Sequence, residues 1–358
     1  MDLRSYFDDF TERDWETLDD ETEPLRFAMV GLGWWVKEEA VPAVAESSFC
    51  ETSVVVSRSE DAAQEYADEQ GFAAGISGEQ YHDGVARDEY DAVYVCTPNA
   101  THLEYVESAA DFGKPVLCEK PMEGRVDRAE EMVAAADDAG ITLMVAYRMH
   151  TESAVRRLRE LLADGFLGDP VQLHGHMSQP LLEMIPDPDQ WRLNPDLAGP
   201  GATVTDIGLY PLNTARFLLG TDPVAVTASL SSEGDAFDAV PDEHATFTLE
   251  FPDDVTVSCT ASQNAAQSSF LTLVGTKGVA RLDPAFFPDQ PRELQVFREG
   301  TTVRTTFDQQ NQMTEEFDYF ADCVLSGRQP TGDAEHGLVD MRVIEAVYDA
   351  DSNGRVEL

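Results

Sequence analysis

Lysine is nearly missing from this chain. Four lysines (Lys37, Lys114, Lys120 and Lys277) stand among 358 residues, and the formal net charge is -44. This shortage of positive charge argues against nucleic acid as a partner, because phosphate binding needs clustered Lys and Arg. It argues against an anionic membrane surface for the same reason. No apolar run approaches the roughly 20 residues of a membrane span, and the acidic N-terminus is unlike a secretory signal. The five cysteines are odd in number and far apart, with no CxxC or Cys/His cluster. Neither a metal site nor a disulfide framework is expected. Cys50, Cys96 and Cys118 lie in or beside strand-like apolar runs and read as small buried hydrophobes. An intracellular, reducing compartment, the cytoplasm, follows.

What is abundant is acid, spread along the chain rather than blocked in a tail. It reads as a solvated coat, with an acidic interaction surface as the other reading. Such a charge repels itself in dilute buffer, whereas salt at 1 M screens it within a Debye length of about 3 Å. Arginine outnumbers lysine by 20 to 4. The composition is that of a protein adapted to a high-salt cytoplasm. The hydrophobic content of 42% is enough for a core, and the length suggests two domains.

Residues 1–24 form an acidic arm carrying Tyr6, Phe7, Phe10, Trp15 and Leu18, expected to make short helical turns packed on the body. From residue 25 strand and helix signals alternate. Strands are expected over 25–30, 52–57, 92–97, 116–119 and 142–146, with helices over 61–70, 103–112 and 128–139 between them. This alternation predicts an α/β fold with a doubly wound parallel sheet. Continuous apolar triplets such as Val54-Val55-Val56 suit strands covered on both faces. After about residue 147 the pattern changes. A helix over 153–163 and a strand over 171–177 lead into a Pro-rich loop reaching Trp191. A helix over 204–219 follows. Strand patterns from 224 to 307, many alternating apolar and polar, predict an antiparallel sheet with one covered face. Helices over 314–325 and 336–349 close the chain. The expected division is 1–24, 25–147 and 148–358.

Gly31-Leu32-Gly33 directly follows a strand and precedes a helix, the context in which a glycine fingerprint is credible. Gly31 permits the tight turn, and Gly33 lets the backbone approach a pyrophosphate at the helix start. The third fingerprint position is Val36 rather than Gly or Ala. Trp34 and Trp35 either flank the cofactor or pack inside. Ser57-Arg58-Ser59 ends the next strand. A carboxylate there would bind the ribose 2′-hydroxyl of NAD, but none occurs before Glu60. Two hydroxyls and a guanidinium suit a 2′-phosphate instead, so NADP is expected, with NAD the weaker alternative. Thr97-Pro98-Asn99, followed by His102, stands at another strand end on the ligand side of such a sheet. Asn99 would bond the cofactor or cap the next helix, and His102 would join it or serve structurally. Glu119-Lys120-Pro121 follows a further strand. Glu119 and Lys120 complete the expected cofactor contacts.

These motifs, with Tyr147-Arg148-Met149-His150, Gln190-Trp191-Arg192 and Asp206-Ile207-Gly208-Leu209-Tyr210, occur in an order and spacing that resemble the family of glucose–fructose oxidoreductase, inositol dehydrogenase and related sugar oxidoreductases. The resemblance runs from Leu25 to the end. With the acidic, Arg-rich composition, it is nearest the NADP-dependent D-xylose 1-dehydrogenases of halophilic archaea. It implies a Rossmann dinucleotide-binding domain followed by an α+β domain with a large open, mainly antiparallel sheet, through which subunits pair as a homodimer or homotetramer. It implies that Lys120 lies beside the nicotinamide and the sugar, with Pro121 in a cis bond, and that one helix presents Asp206 and Tyr210 to the substrate. Many members carry His at the Tyr210 position; Tyr matches the glucose–fructose oxidoreductase branch.

The chemistry of the residues points the same way. Oxidising an alcohol requires removing its proton as hydride leaves. A tyrosine hydroxyl ordinarily titrates at about 10, and a neighbouring ammonium favours the phenolate. Lys120 and Tyr210 therefore form the expected acid–base pair. Asp206, four residues before Tyr210 and on the same helix face, would accept sugar hydroxyls. Arg148 would bond the sugar or support the nicotinamide end. Asn213, one turn after Tyr210, would touch substrate or pack the helix. The expected reaction carries hydride from C1 of an aldose, D-xylose first, to NADP and forms the lactone. Another aldose, an inositol or a diol keeps the fold and changes the substrate. A non-catalytic cofactor-binding regulator is the reading of another class, and the Lys120, Asp206 and Tyr210 set speaks against it.

Overall fold

The apolar runs of the first part of the chain become parallel strands. In the computed structural model, which describes residues 10–19, 21–288 and 290–358, these are β1 (Leu25–Val30), β2 (Cys50–Ser57), β3 (Ala74–Ser77), β4 (Ala92–Val95), β5 (Val116–Glu119) and β6 (Leu143–Ala146). They lie in the order β3-β2-β1-β4-β5-β6, all parallel. This is a doubly wound sheet, whose strand order reverses between β1 and β4. All four residues of β4 and of β6 are buried, as strands covered on both faces require.

Strand β3 was not expected from the sequence. It reads Ala-Gly-Ile-Ser, without the β-branched run that marks its neighbours. Helix α2 (Glu60–Gln70) explains the glycine, because a Cβ on Gly75 would fall 2.1 Å from the Ala63 carbonyl oxygen. The shorter α1 (Val41–Glu46) continues a π-helical turn over Val36–Ala40. Helices α3 (Gly78–His82), α4 (His102–Asp111) and α5 (Val126–Ala139) follow.

The structure divides into two compact units. The first comprises Trp15–Arg148 and Asn311–Met341; the second comprises the described part of Met1–Asp14 with Met149–Gln310 and Arg342–Leu358. This departs from the contiguous division at residue 147, because the helix that begins at Gln312 packs with the first unit. Leaving aside two four-residue helical turns, the next helices after α5 are α6 (Ser153–Ala163), α7 (Leu209–Leu219) and α8 (Gln312–Ser326). Phe317 of α8 meets Phe27 edge-on at 5.1 Å between ring centroids and Tyr94 at 5.0 Å. Each such buried ring contributes about 1.5–3 kcal/mol, which outweighs proximity in the chain. Trp15 also joins this core, edge-on to Tyr319 at 5.4 Å. Tyr6 and Phe7 lie outside the described residues.

In the second unit, strands β7 (Pro170–Pro180), β8 (Ala225–Ser231), β9 (His244–Glu250), β10 (Thr256–Ser262), β11 (Asn264–Gly275), β12 (Gly278–Asp283), β13 (Arg292–Arg298), β14 (Thr301–Phe307) and β15 (Val356–Glu357) form one sheet. Its order is β14-β13-β12-β11-β7-β10-β9-β8-β15. Every neighbouring pair is antiparallel except β10 with β7. Buried and half-buried residues alternate along β10, β12 and β13, so one face is covered. Helix α7 lies on that face against β7 and β10. A Cβ on Gly175 of β7 would meet the Pro211 Cβ at 2.4 Å. The last helix, α9 (Ala334–Asn353), belongs to the first unit as far as Met341 and to the second from Arg342.

Cys50 and Cys118 are buried, as expected of small hydrophobes, whereas Cys96 is only half-buried against the core. Cys259 and Cys323 are buried as well, and burial pushes these four buried thiols up. Among the described residues no helix is long and apolar enough to cross a membrane.

Candidate active site

The first unit gathers the glycine turn, the ends of β2 and β4, and the Glu119-Lys120-Pro121 triplet at the carboxyl edge of one parallel sheet. Gly31 has φ +99°, and a Cβ there would lie 2.1 Å from the Cys96 carbonyl oxygen. Only glycine lets β1 leave the sheet so close to β4. Gly33 differs: a Cβ on it would meet nothing within 4 Å. Its backbone is open to a bulky anion at the helix start, which fits a dinucleotide pyrophosphate. Val36 is fully buried, and it opens the π-helical turn rather than an ordinary α turn. Such turns recur at functional sites. The two tryptophans divide. Trp34 is 65% exposed and free to flank a ligand, whereas Trp35 packs against the core, so it takes the structural alternative.

At the end of β2, Ser57 Oγ accepts the Ser59 amide at 3.4 Å, and Ser59 caps α2 by accepting the Ala62 amide at 3.3 Å. Arg58 is exposed between them. The first acid beyond, Glu60, accepts from Gln80 Nε2 at 3.0 Å. The strand end itself carries no carboxylate, and Arg58 is its exposed cation.

After β4, Thr101 Oγ1 donates to the Pro98 carbonyl at 2.7 Å and lies 2.9 Å from Thr97 Oγ1. Asn99 is 3% exposed. The residues ahead of the short turn it opens and of α4, Pro98 and Thr101, supply no side-chain cap. His102 requires a correction. Its ring is fully buried, with Nδ1 3.0 Å from the Met122 carbonyl and Nε2 2.9 Å from the Thr97 carbonyl. Both nitrogens face the protein. It braces the two loops and does not itself reach a cofactor.

The Lys120–Pro121 bond is cis, as the resemblance implies. Glu119 accepts the Tyr94 hydroxyl at 2.7 Å on one oxygen and the Lys120 amide at 3.2 Å on the other. Its carboxylate shapes the lysine turn. Behind it, on α8, lies a residue that motif reading missed. Glu316 is 1% exposed, and neither carboxyl oxygen has a hydrogen-bond partner among the described residues. Burial, and then the charge of Glu119, push its carboxyl well above the usual range, while Arg148 opposes them. Arg148 is 5% exposed and donates to Gln312 Oε1, one turn before Glu316. Of its two expected roles, this position suits support.

In the second unit, Asp206 lies in a π-helical turn over Val204–Gly208 that runs into α7, and Tyr210 stands in the first turn of α7. From Gly201 to Leu218, Asp206 and Tyr210 are the only residues that are not buried. A helix sunk in the unit thus opens two polar side chains and nothing else. Asp206 Oδ2 accepts Gln263 Nε2 at 2.9 Å and lies 3.4 Å from Arg192 Nε. Gln179 Nε2 donates to Gln263 Oε1 at 2.9 Å. Arg192 stood in a family motif, but Gln179 and Gln263 have no motif around them; their burial in strand ends was their only signal, and it needs the fold. Tyr210 lies 6.0 Å from Phe286 between ring centroids. Asn213, expected to touch substrate or to pack, packs. It is 2% exposed, with Oδ1 2.9 Å from His150 Nε2, and His150 stacks on Phe217 of α7 at 4.2 Å.

Comparison with known proteins agrees with this layout. Residues 25–147 match the family model described as oxidoreductase family, NAD-binding Rossmann fold. Residues 155–281 match the GFO/IDH/MocA C-terminal domain. The chain is 52% identical over 342 residues, 95% of each chain, to the D-xylose 1-dehydrogenase [NADP(+)] of Haloarcula marismortui. It is 33% identical to D-xylose 1-dehydrogenase (NADP(+)) 2 of Haloferax volcanii, over 93% of this chain and all of that one. Among solved structures, an aldose-aldose oxidoreductase from Caulobacter crescentus, complexed with glycerol, superposes with a TM-score of 0.87 at 33% identity. The superposition covers 94% of this chain and 100% of that one. With its glycine turn, its cis Lys120–Pro121 bond and its half-buried Asp206 and Tyr210 on an otherwise buried helix, the chain belongs to the GFO/IDH/MocA family of oxidoreductases.

Proposed function

We propose that this protein oxidises an aldose, D-xylose foremost, at C1 to its lactone, with NADP as the hydride acceptor. The observation that carries the reading is the pair of open polar side chains, Asp206 and Tyr210, on an otherwise buried helix. The 52% identical D-xylose dehydrogenase supports the choice of sugar and cofactor. The open backbone at Gly33 and the exposed Arg58 would hold the pyrophosphate and the 2′-phosphate.

The balance of the reaction is simple. The C1–H bond breaks with both electrons, the C1 hydroxyl loses its proton, and the C1 carbonyl of the lactone forms. When bound, NADP supplies the electron-pair acceptor. Tyr210 takes the hydroxyl proton. The Lys120 ammonium stabilises the negative charge that develops on oxygen, and it is aimed by Glu119 through the Lys120 amide. Asp206, steadied by Gln263 and Arg192, accepts hydrogen bonds from neighbouring sugar hydroxyls and fixes the ring. Arg148 supports the Lys120 turn from behind.

The test is a panel of aldoses, inositols and diols with NADP and with NAD, in concentrated salt, read by absorbance of the reduced cofactor. Xylose oxidation preferring NADP is the expected result. Activity on an inositol or a diol alone would move the assignment within the family, and no turnover on any would favour a cofactor-binding regulator. We further propose that the protein works in a salt-rich cytoplasm and pairs as a homodimer or homotetramer through the open face of the β7–β15 sheet. Light scattering in concentrated salt reads the latter directly.

A further inference from the structure

Asp242, two residues before β9, is fully buried. Its Oδ1 accepts the Ala202 amide at 2.8 Å, and its Oδ2 accepts the Thr203 and Val204 amides, each at 2.8 Å. The Tyr348 hydroxyl, from α9, donates to the same Oδ2 at 2.7 Å. These amides open the turn that carries Asp206 and runs into Tyr210. The first N–H groups of a helix have no partner within it, and the residue ahead of this turn, Thr203, offers no side-chain cap. One carboxylate, supplied from 38 to 40 residues farther along the chain, takes their place. Gly201 makes the approach possible, because a Cβ there would fall 2.3 Å from Asp242 Oδ1 and 2.4 Å from the Tyr348 hydroxyl. Thr205 Oγ1 closes the loop by donating to the Gly201 carbonyl at 2.6 Å.

We propose that Asp242, held by Tyr348, is a positioning residue for sugar oxidation: it fixes the start of the turn that presents Asp206 and Tyr210. The inference rests on the reading of those two residues as the sugar-facing groups. Asp206 lies two residues past the last amide that Asp242 holds. A π turn is rare and occurs mostly as a single turn, and this one, without a side-chain cap of its own, is anchored from outside by Asp242. An error of about 1 Å at a reacting group costs about a hundredfold in rate. The carboxylate therefore acts through the backbone and touches no substrate.

The experiment is steady-state kinetics of aldose oxidation in concentrated salt for wild type, Asp242→Asn, Tyr348→Phe, the double variant and Gly201→Ala. Asn keeps the shape but turns an N–H donor towards other donors. Asp242→Asn is expected to lower kcat by about tenfold to a hundredfold and to raise the sugar KM several-fold, with the NADP KM changed by no more than about twofold. Tyr348→Phe, which leaves all three amide bonds, should show a smaller loss in the same direction. The double variant should lose less than the product of the single losses, because the two groups share one network. Gly201→Ala should reproduce the Asp242→Asn pattern with both groups retained. If Asp242→Asn does not fold, Tyr348→Phe and Gly201→Ala decide. A lowered Tm with wild-type kcat and both KM values would show a purely structural cap and overturn the proposal, as would an equal rise in the NADP KM. A wild-type protein that oxidises no aldose would overturn the parent reading, and this inference with it.

Discussion

Gln263 donates Nε2 to Asp206 Oδ2 at 2.9 Å across 57 residues of chain. The amide orients a carboxylate that the fold leaves half-buried. Replacing Gln263 with Leu removes this donor and leaves Gln179 facing an apolar side chain. Because a hydrogen bond to a charged group contributes about 1.5–3 kcal/mol, kcat/KM for the sugar should fall by roughly tenfold to a hundredfold, while NADP binding holds. Kinetics that match wild type would remove Gln263 from the site.

Lys120→Ala and Tyr210→Phe should each lower kcat by at least about a hundredfold, the usual scale for positioned acid–base groups. Both variants are expected to fold, because Lys120 and Tyr210 are half-exposed. Turnover close to wild type in both would sink the proposed chemistry, whatever the substrate.

Arg58 is exposed between two serines that are engaged with the backbone of their own turn. Arg58→Ala should raise the KM for NADP by about tenfold or more and leave NAD nearly unaffected, because only a 2′-phosphate uses the guanidinium. An unchanged ratio of efficiencies with the two cofactors would assign the preference elsewhere.

The Glu316 carboxyl is pushed up by burial and then by Glu119. A raised value means that the folded protein holds a proton that the unfolded chain releases. The stability from this group is fully present below the ordinary carboxylate range, and it is lost as pH rises from that range toward the folded value. Glu316→Gln copies the protonated shape without the titration. Its Tm should exceed that of wild type in alkaline buffer, by about 2–4 °C for each kcal/mol relieved, and the gap should narrow as the buffer is acidified. A gap that is constant with pH would show that Glu316 does not titrate in this way.

A net charge of -44 makes the folded state repel itself when salt is removed. Dialysis into dilute buffer should lower Tm and activity together, and concentrated salt, with a Debye length of about 3 Å at 1 M, should restore both. Full activity in dilute buffer would refute adaptation to high salt.

Local signals carried the parallel sheet, the glycine turn, Lys120 at a strand end and the helix with Asp206 and Tyr210, because apolar runs, turn residues and helical spacing act over a few residues. The strand β3 escaped them, since its glycine answers to the backbone of α2 rather than to strand propensity. So did the membership of α8 in the first unit, which rests on Phe317 meeting Phe27 across 290 positions of sequence.

By itself the sequence determined the chemistry on offer: a dinucleotide turn, one lysine beside it, and an acid and a phenol four residues apart. Only the tertiary structure decided which polar groups face outward and which hold the others. It turned Asn213 and His102 inward and kept Asp206 and Tyr210 open. It brought Gln263, Asp242 and Tyr348 to a turn that none of them neighbours in the chain. Burial depends on what packs opposite, and a hydrogen bond between distant residues leaves no periodic trace along the sequence.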